Sequence, residues 1–172
     1  GFLLRDDVFL YGDHPGHYWL MWYTLNIAAL LHHRLIDWIP YWYAGYPERL
    51  FYPPGSIIVG WLLNLLTLGK LSTALIYEIV VFAAYALPAF TFYYALRRLR
   101  FEWRAAFAAG LLVLGFPAFF DGAPAVVIGM IGSRLSFGLN ALVLVWTIDF
   151  IETRRWRYVW LAAPTLALAI LL

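Results

Sequence analysis

The sequence predicts an all-α, polytopic integral membrane protein: a helical bundle with a polar, partly interfacial loop region near its amino end. Apolar residues make up 64% of the 172-residue chain and charged residues only 13%, whereas a soluble domain is roughly 45–50% apolar and about 25% charged. The second observation is a series of apolar runs of helical length, separated by short polar loops. We therefore expect the lipid bilayer to surround four to six helices of this chain.

The predicted elements divide the chain into an external loop region, residues 1–54, and a transmembrane helical region, residues 55–172. Within the first region we predict a polar loop over 5–16, a helix over about 17–35 and a proline-rich, non-helical loop over 36–54. The second region holds predicted helices at about 55–68, 71–96, 105–120, 135–151 and 159–172.

Two loops rich in arginine, 97–104 and 152–157, set the predicted orientation. Because two predicted spans separate them, they lie on one side of the membrane, which the positive-inside rule makes the cytoplasmic side. The loop over 121–134 is then external.

The side on which residues 36–54 lie depends on two helices that are hard to place. The run 55–68 is shorter than the about 20 residues that cross hydrocarbon, so we expect it to be re-entrant and residues 36–54 to be external. In that case the helix over 17–35 lies in the interface. If both helices instead cross a thinned bilayer, residues 36–54 are cytoplasmic. The third alternative is that the positive-inside rule does not hold for this chain.

Several classes of site and partner are excluded by composition. Cysteine is absent, which excludes disulfides, thiolate metal sites and thiol catalysis. The arginine runs indicate topology and not a nucleic-acid surface, so no nucleic-acid partner is expected.

The chain begins at Gly1 and stops at Leu172 inside a hydrophobic run, from which we expect that it is truncated at both ends.

Four short motifs carry a family resemblance. They are Tyr11-Gly-Asp13, Trp38-Ile-Pro40, Ala44-Gly-Tyr-Pro47 and Phe51-Tyr-Pro-Pro54, with a run of apolar helices after them. Over roughly residues 8–120 the chain resembles the prokaryotic polytopic membrane proteins labelled as 6-pyruvoyl-tetrahydropterin-synthase-related. Those proteins in turn resemble the GT-C fold membrane glycosyltransferases, and the pterin label implies no pterin chemistry here.

The resemblance implies a reaction. In GT-C enzymes an acidic residue in the first external loop acts as base or metal ligand, and the donor is a sugar on a polyprenyl phosphate. The matching residue is Asp13, with Asp6 and Asp7 as competitors because many members carry paired acids there. Asp121 alone represents the second acidic site usual in later loops. The implied setting is cell-envelope glycoconjugate assembly at the prokaryotic cytoplasmic membrane.

Asp13 also has a chemical rationale as the catalytic base. Glycosyl transfer requires an acceptor hydroxyl to lose its proton as it attacks the anomeric carbon, and a carboxylate held in a turn by Gly12 and Pro15 can accept that proton. The alternative is that Asp13 caps the helix that starts near Pro15, since Asp is a favoured N-cap and Pro is common at N1. The two roles are compatible.

Neighbouring polar residues extend the candidate site. His14 and His17 with Asp13 form a possible divalent-cation site, although most interfacial histidines only hydrogen-bond to water or headgroups. Arg49 is expected to hold a lipid-linked phosphate, or else to pair locally with Glu48. Three aromatic side chains are candidates for stacking on a sugar, with interfacial anchoring as the common alternative: Tyr46, Phe51 and Tyr52.

Glu78 lies about two turns inside a predicted span, where ionisable groups are costly and usually functional. It either meets a partner such as Arg134 within the bundle or lies near the outer interface, snorkelling or protonated. Mid-span Asn140 is expected to bond to a neighbouring helix. At the cytoplasmic end, Asp149 and Glu152 are expected to pair with the arginines that follow them.

Three functions are consistent with these residues. The first is a GT-C-like glycosyltransferase module with Asp13 as base and a lipid-linked sugar as donor. The second is a non-catalytic membrane subunit that packs against other subunits of a larger complex. The third is a transporter, which requires Glu78 and Asn140 to line one continuous cavity.

Overall fold

A computed structural model describes residues 11–29, 38–40, 45–47, 53–117 and 122–172. The described residues form seven α-helices and only one pair of two-residue strands, which confirms the predicted all-α class for them. The chain divides into two compact units, Gly1–Phe82 and Ala83–Leu172, and each is described by itself. This division follows packing, whereas the predicted division after residue 54 follows polarity.

The elements are numbered in chain order. The helices are α1 (His14–Tyr23), α2 (Gly55–Leu66), α3 (Thr73–Arg98), α4 (Trp103–Leu114), α5 (Ala123–Ile128), α6 (Ile131–Thr153) and α7 (Arg157–Leu171). A π-helical turn, Thr24–Ala28, follows α1. Strands β1 (Trp38–Ile39) and β2 (Tyr46–Pro47) pair antiparallel, with Ile39 opposite Tyr46.

The first unit is built on one face of α1. Its core cluster joins side chains from α1, the π-helical turn, β1 and α2: Leu20, Tyr23, Ala28, Ile39 and Ile57. Asn26 then ties the π-helical turn to the start of α3, because its amide donates to the Thr73 hydroxyl at 3.1 Å. The helix that follows the first polar loop is therefore held by the second loop, by α2 and by α3 together.

Helix ends differ from the predicted bounds where a capping residue decides them. α1 begins at His14 and not at residue 17, because Pro15 occupies its first turn. α4 begins at Trp103 because the Glu102 carboxylate accepts from the backbone N–H groups of Arg104 and Ala105. It ends at Leu114, with Gly115 as C-cap, so the predicted helix over 105–120 is shorter and earlier.

The predicted loop over 121–134 contains helical structure. α5 lies within it and ends at Gly129, whose φ of +94° is the left-handed conformation that glycine adopts without strain. α6 then starts at Ile131, so Arg134 is a helical residue and not a loop residue. α6 continues to Thr153, two residues past the predicted end.

Two described helices, α3 and α6, are long and apolar enough to cross a membrane by length and composition. α3 has 26 residues and would span about 39 Å. The predicted kink residue Pro88 lies inside it. α2, α4 and α7 are apolar but shorter.

Substitution of Gly110 tests the packing of α4 on α3 in the second unit. A methyl group added at Gly110 would lie 2.9 Å from the Ala89 carbonyl oxygen, which belongs to the rigid backbone of α3. We expect Gly110→Ala to lower the free energy of unfolding by about 1 kcal/mol, since overpacking outweighs the gain in helix propensity. Thermal unfolding of the purified chain, followed by circular dichroism, measures this.

The matched control is Gly115→Ala, at the end of the same helix. Nothing lies within 4 Å of a methyl group added there, so we expect no loss of stability. Equal unfolding midpoints for the two variants would contradict the close helix approach.

Candidate functional site at the amino end of α1

Asp13 lies in a turn immediately before α1, and its carboxylate is exposed. Gly12 has a φ of +59°, a conformation that glycine adopts without steric cost, and Pro15 fixes the first turn of the helix. Asp13 occupies the N-cap position, but its side chain makes no capping hydrogen bond. The Asp13 carboxylate therefore does not cap α1, as the alternative prediction required, and it remains available to a ligand.

The residue after Asp13 is anchored in the interior. His14 is only 2% exposed, and its Nδ1 lies 2.8 Å from the hydroxyl of Tyr77, which is fully buried on α3. Tyr18, one turn further along α1, packs edge-on against the Tyr77 ring, with 5.8 Å between centroids. This contact fixes the start of α1 against α3, and it thereby holds the turn that presents Asp13.

His17 lies one turn after Asp13 and is partly buried. Burial lowers the pKa of His17 below its usual value, an effect that Asp13 opposes and His14 reinforces electrostatically. The neutral imidazole is thus the dominant form at neutral pH, and it does not supply a counter-charge to the Asp13 carboxylate.

The described residues do not form a metal centre. Among them, no group of three His, Asp or Glu side chains is placed to hold a metal ion. His14, one of the three predicted donors, already uses Nδ1 toward Tyr77. The cation site predicted at Asp13, His14 and His17 therefore stays a prediction without support from the geometry.

The described parts of the second loop pack on the carboxyl end of α1 and not on its start. The Tyr23 hydroxyl lies 3.5 Å from the backbone oxygen of Trp38, and Ile39 joins Leu20 in the core cluster. Tyr23 is ten residues from Asp13, or about 15 Å along the helix. The residues of this loop that were predicted to bind substrate lie outside the described residues: Glu48, Arg49, Phe51 and Tyr52. Of Tyr46 only the backbone is described.

Gly45, in the Ala-Gly-Tyr-Pro motif, has a structural role. Its φ is +89°, and a methyl group added there would overlap the indole of Trp38. Both the backbone conformation and the close approach of Trp38 require glycine at this position. The presence of glycine at position 45 is therefore explained by the hairpin between β1 and β2 and not by ligand binding.

Of the predicted secondary acids, only Glu78 is described. Glu78 follows Tyr77 on α3 and is only 2% exposed. This burial does not agree with an exposed, snorkelling side chain. Because Glu78 belongs to the first unit and Arg134 to the second, their predicted pairing stays a prediction. The other candidates lie outside the described residues: Asp6, Asp7 and Asp121.

Sequence reasoning missed Tyr77 and the partner of Asp149. Tyr77 stands next to Glu78 in an apolar helix, and this pair of polar groups was a usable signal. Asp149 was expected to pair with the arginines that follow it in the chain. In the structure it pairs instead with Arg98, at 2.6 Å. No local pattern could reveal that partner, because the two residues are 51 positions apart.

The second unit contains a pocket of about 270 Å³ that is lined by α3 and α6. Asn140 is the one polar residue in its lining and is exposed. No side-chain hydrogen bond to another helix is described for Asn140, so its expected interhelical bond stays a prediction. The other lining residues are apolar, and all of them belong to the second unit.

Comparisons with protein-family models, with curated proteins and with solved structures found no match to the chain.

Substitution of Tyr77 tests whether the contact with His14 anchors the start of α1. Tyr77→Phe removes the hydroxyl that meets His14 Nδ1, and we expect it to lower the free energy of unfolding by about 1 kcal/mol. A double-mutant cycle with His14→Phe should give a coupling energy of about the same size.

The control for this cycle is Tyr85→Phe, which removes a tyrosine hydroxyl from the same helix. Within the part of the chain that the structure describes, this hydroxyl makes no hydrogen bond, so we expect no loss of stability. A coupling energy of zero between positions 14 and 77 would show that the contact does not hold α1.

Proposed function

We propose that the chain is a GT-C-like membrane glycosyltransferase module that transfers a sugar from a polyprenyl-phosphate donor at the external membrane face, with Asp13 as the catalytic base. The observation that carries the proposal is the position of the Asp13 carboxylate. It is exposed and is not used to cap α1, while the residue beside it is buried and hydrogen-bonded to α3. An acid presented by an anchored turn suits proton transfer.

The proposed location in a membrane is supported by apolar side chains that face outward. In the most apolar window of α6 only 28% is buried, and in that of α3 44%, whereas the core helix of a soluble protein is mostly buried. Large apolar side chains on the shorter helices are also exposed: Leu66, Leu112, Trp160 and Ile170. Exposed apolar surface on this scale is costly in water and favourable in lipid.

The reaction assigns a simple role to Asp13. The acceptor hydroxyl oxygen forms a bond to the anomeric carbon while the bond from that carbon to the phosphate oxygen breaks. The electron pair of the broken bond leaves with the polyprenyl phosphate, and the hydroxyl proton passes to the Asp13 carboxylate. The proposed phosphate contact is Arg49, with Glu48 beside it, and Tyr46 and Tyr52 are the proposed sugar contacts. No step is assigned to a divalent cation, because the described donor set does not fit one.

The second candidate, a non-catalytic subunit of a membrane complex, is favoured by the same exposed apolar faces. The exposed side chains of α4 and α7 suit a partner helix as well as lipid. Co-purification with other subunits in fixed stoichiometry, together with an occluded Asp13, would support it. The transporter candidate needs a cavity shared by Asn140 and Glu78, which belong to different units, and it stays a prediction.

The test is transfer activity of an Asp13→Asn variant. Membranes that contain the protein are supplied with a panel of radiolabelled polyprenyl-phosphate hexoses, and label in lipid, glycan and protein fractions is counted. Because the amide cannot accept the proton, we expect a loss of about 100-fold or more in rate, within the range for a general base.

Glu152→Gln is the matched control, since it removes an exposed carboxylate from the end of α6 and should leave transfer unchanged. Full activity of Asp13→Asn would reject the assignment. Loss of activity in Asp6→Asn or Asp7→Asn, with Asp13→Asn active, would move the base to that pair.

A further inference from the structure

In the second unit, Arg98 joins the ends of three helices. From the last turn of α3 its guanidinium donates to one oxygen of Asp149 on α6, at 3.0 Å from Nε and 2.6 Å from Nη2. Nη2 also donates to the hydroxyl of Tyr158 in the first turn of α7, at 2.9 Å. Because Asp149 and Tyr158 flank the loop over 152–157, these contacts hold the two arginine-rich loops at one end of the unit.

The two loops together present a strongly basic face, which we call the arginine surface and define as residues 97–104 and 152–157. Its arginines are all exposed: Arg97, Arg98, Arg100, Arg104, Arg154, Arg155 and Arg157. The carboxylates near them are fewer and partly used. Asp149 is paired with Arg98, and Glu102 caps α4, which leaves Glu152. The surface therefore carries a clear excess of positive charge.

Exposed aromatic side chains lie among these arginines. Trp156 is 69% exposed, Trp103 53% and Phe101 51%, and the guanidinium of Arg104 lies 5.4 Å from the centre of the Trp103 ring. Tryptophan is enriched at the headgroup level of membranes, where an apolar ring and a polar edge are both accommodated. Arginine and tryptophan side by side match the chemistry of a charged lipid headgroup above hydrocarbon.

Two of the arginines occupy positions that suit glycine better. Arg100, after α3, has a φ of +67°, and Arg154, at the end of α6, has a φ of +54°. This left-handed conformation costs a residue with a side chain of the order of 1 kcal/mol, and glycine is the usual residue where helices end in this way. Glycine fits the backbone at both positions, so the charge of either residue can be removed there without backbone strain.

We propose that the arginine surface binds the phosphates of anionic phospholipid headgroups on the cytoplasmic leaflet. Guanidinium groups donate paired hydrogen bonds to phosphate oxygens, and clusters of basic residues next to membrane helices attract anionic lipid. This inference needs the membrane location but does not depend on the reaction assigned to Asp13, which belongs to the other unit.

The experiment measures binding of two lipids to the full chain in neutral detergent by native mass spectrometry. We expect phosphatidylglycerol to bind at least about tenfold more tightly than phosphatidylcholine. Arg100→Gly and Arg154→Gly should each weaken phosphatidylglycerol binding about fivefold, the value for one basic residue near a membrane surface. Neither variant should lower the unfolding midpoint, because glycine relieves the left-handed conformation.

Two controls separate charge from backbone. Leu68 also has a positive φ, +53°, so Leu68→Gly makes the same backbone change without a change in charge. Lys70→Gln removes an exposed cation outside the arginine surface. Both should leave the lipid preference intact.

Equal affinity for the two lipids, or an unchanged preference in Arg100→Gly and Arg154→Gly, would overturn the proposal. Displacement of phosphatidylglycerol by inorganic phosphate at the same concentration would also overturn it, because the site would then be one for a soluble anion. Tighter binding of a single-stranded oligonucleotide than of the lipid would contradict it as well.

Discussion

The outward position of large apolar side chains is the constraint on which the rest of this structure depends. Helices that face an apolar environment must satisfy their backbone groups internally and keep polar side chains away from their middle parts. The second unit follows this rule in part, because the exposed Asn140 lies in the middle of α6. Its ionic contacts gather at the ends of α3, α6 and α7, where Arg98 meets Asp149 and Tyr158. The first unit gathers its polar groups at the start of α1, around Asp13 and His14.

The sequence was sufficient for the class of the fold, because apolar runs of helical length mark helices whatever their exact ends. It was insufficient for the ends themselves, which single side chains decide: Glu102 starts α4, and Arg154, in the left-handed conformation, stops α6. The short hairpin was also beyond prediction, since β1 and β2 have two residues each and their pairing depends on packing against α1.

The candidate site was predictable in its position but not in its construction. Glycine, aspartate and proline in succession mark a turn before a helix, and the structure has that turn. What the sequence could not show is that Asp13 leaves the helix uncapped, or that His14 reaches a tyrosine 63 residues away. Long-range contacts of this kind arise from packing, and no local pattern encodes them.

The central claim is that the chain is a membrane protein with Asp13 on the external side and the arginine surface on the cytoplasmic side. Chemical labelling of single introduced cysteines tests this claim most directly. Because the chain contains no cysteine of its own, only the introduced residue can react. Cells that express Asp13→Cys, Arg100→Cys or Arg155→Cys are treated with a membrane-impermeant maleimide before and after permeabilisation. We expect position 13 to react in intact cells, and positions 100 and 155 to react only after permeabilisation. Reaction of positions 13 and 100 from the same side, or recovery of the protein in the soluble fraction, would contradict it.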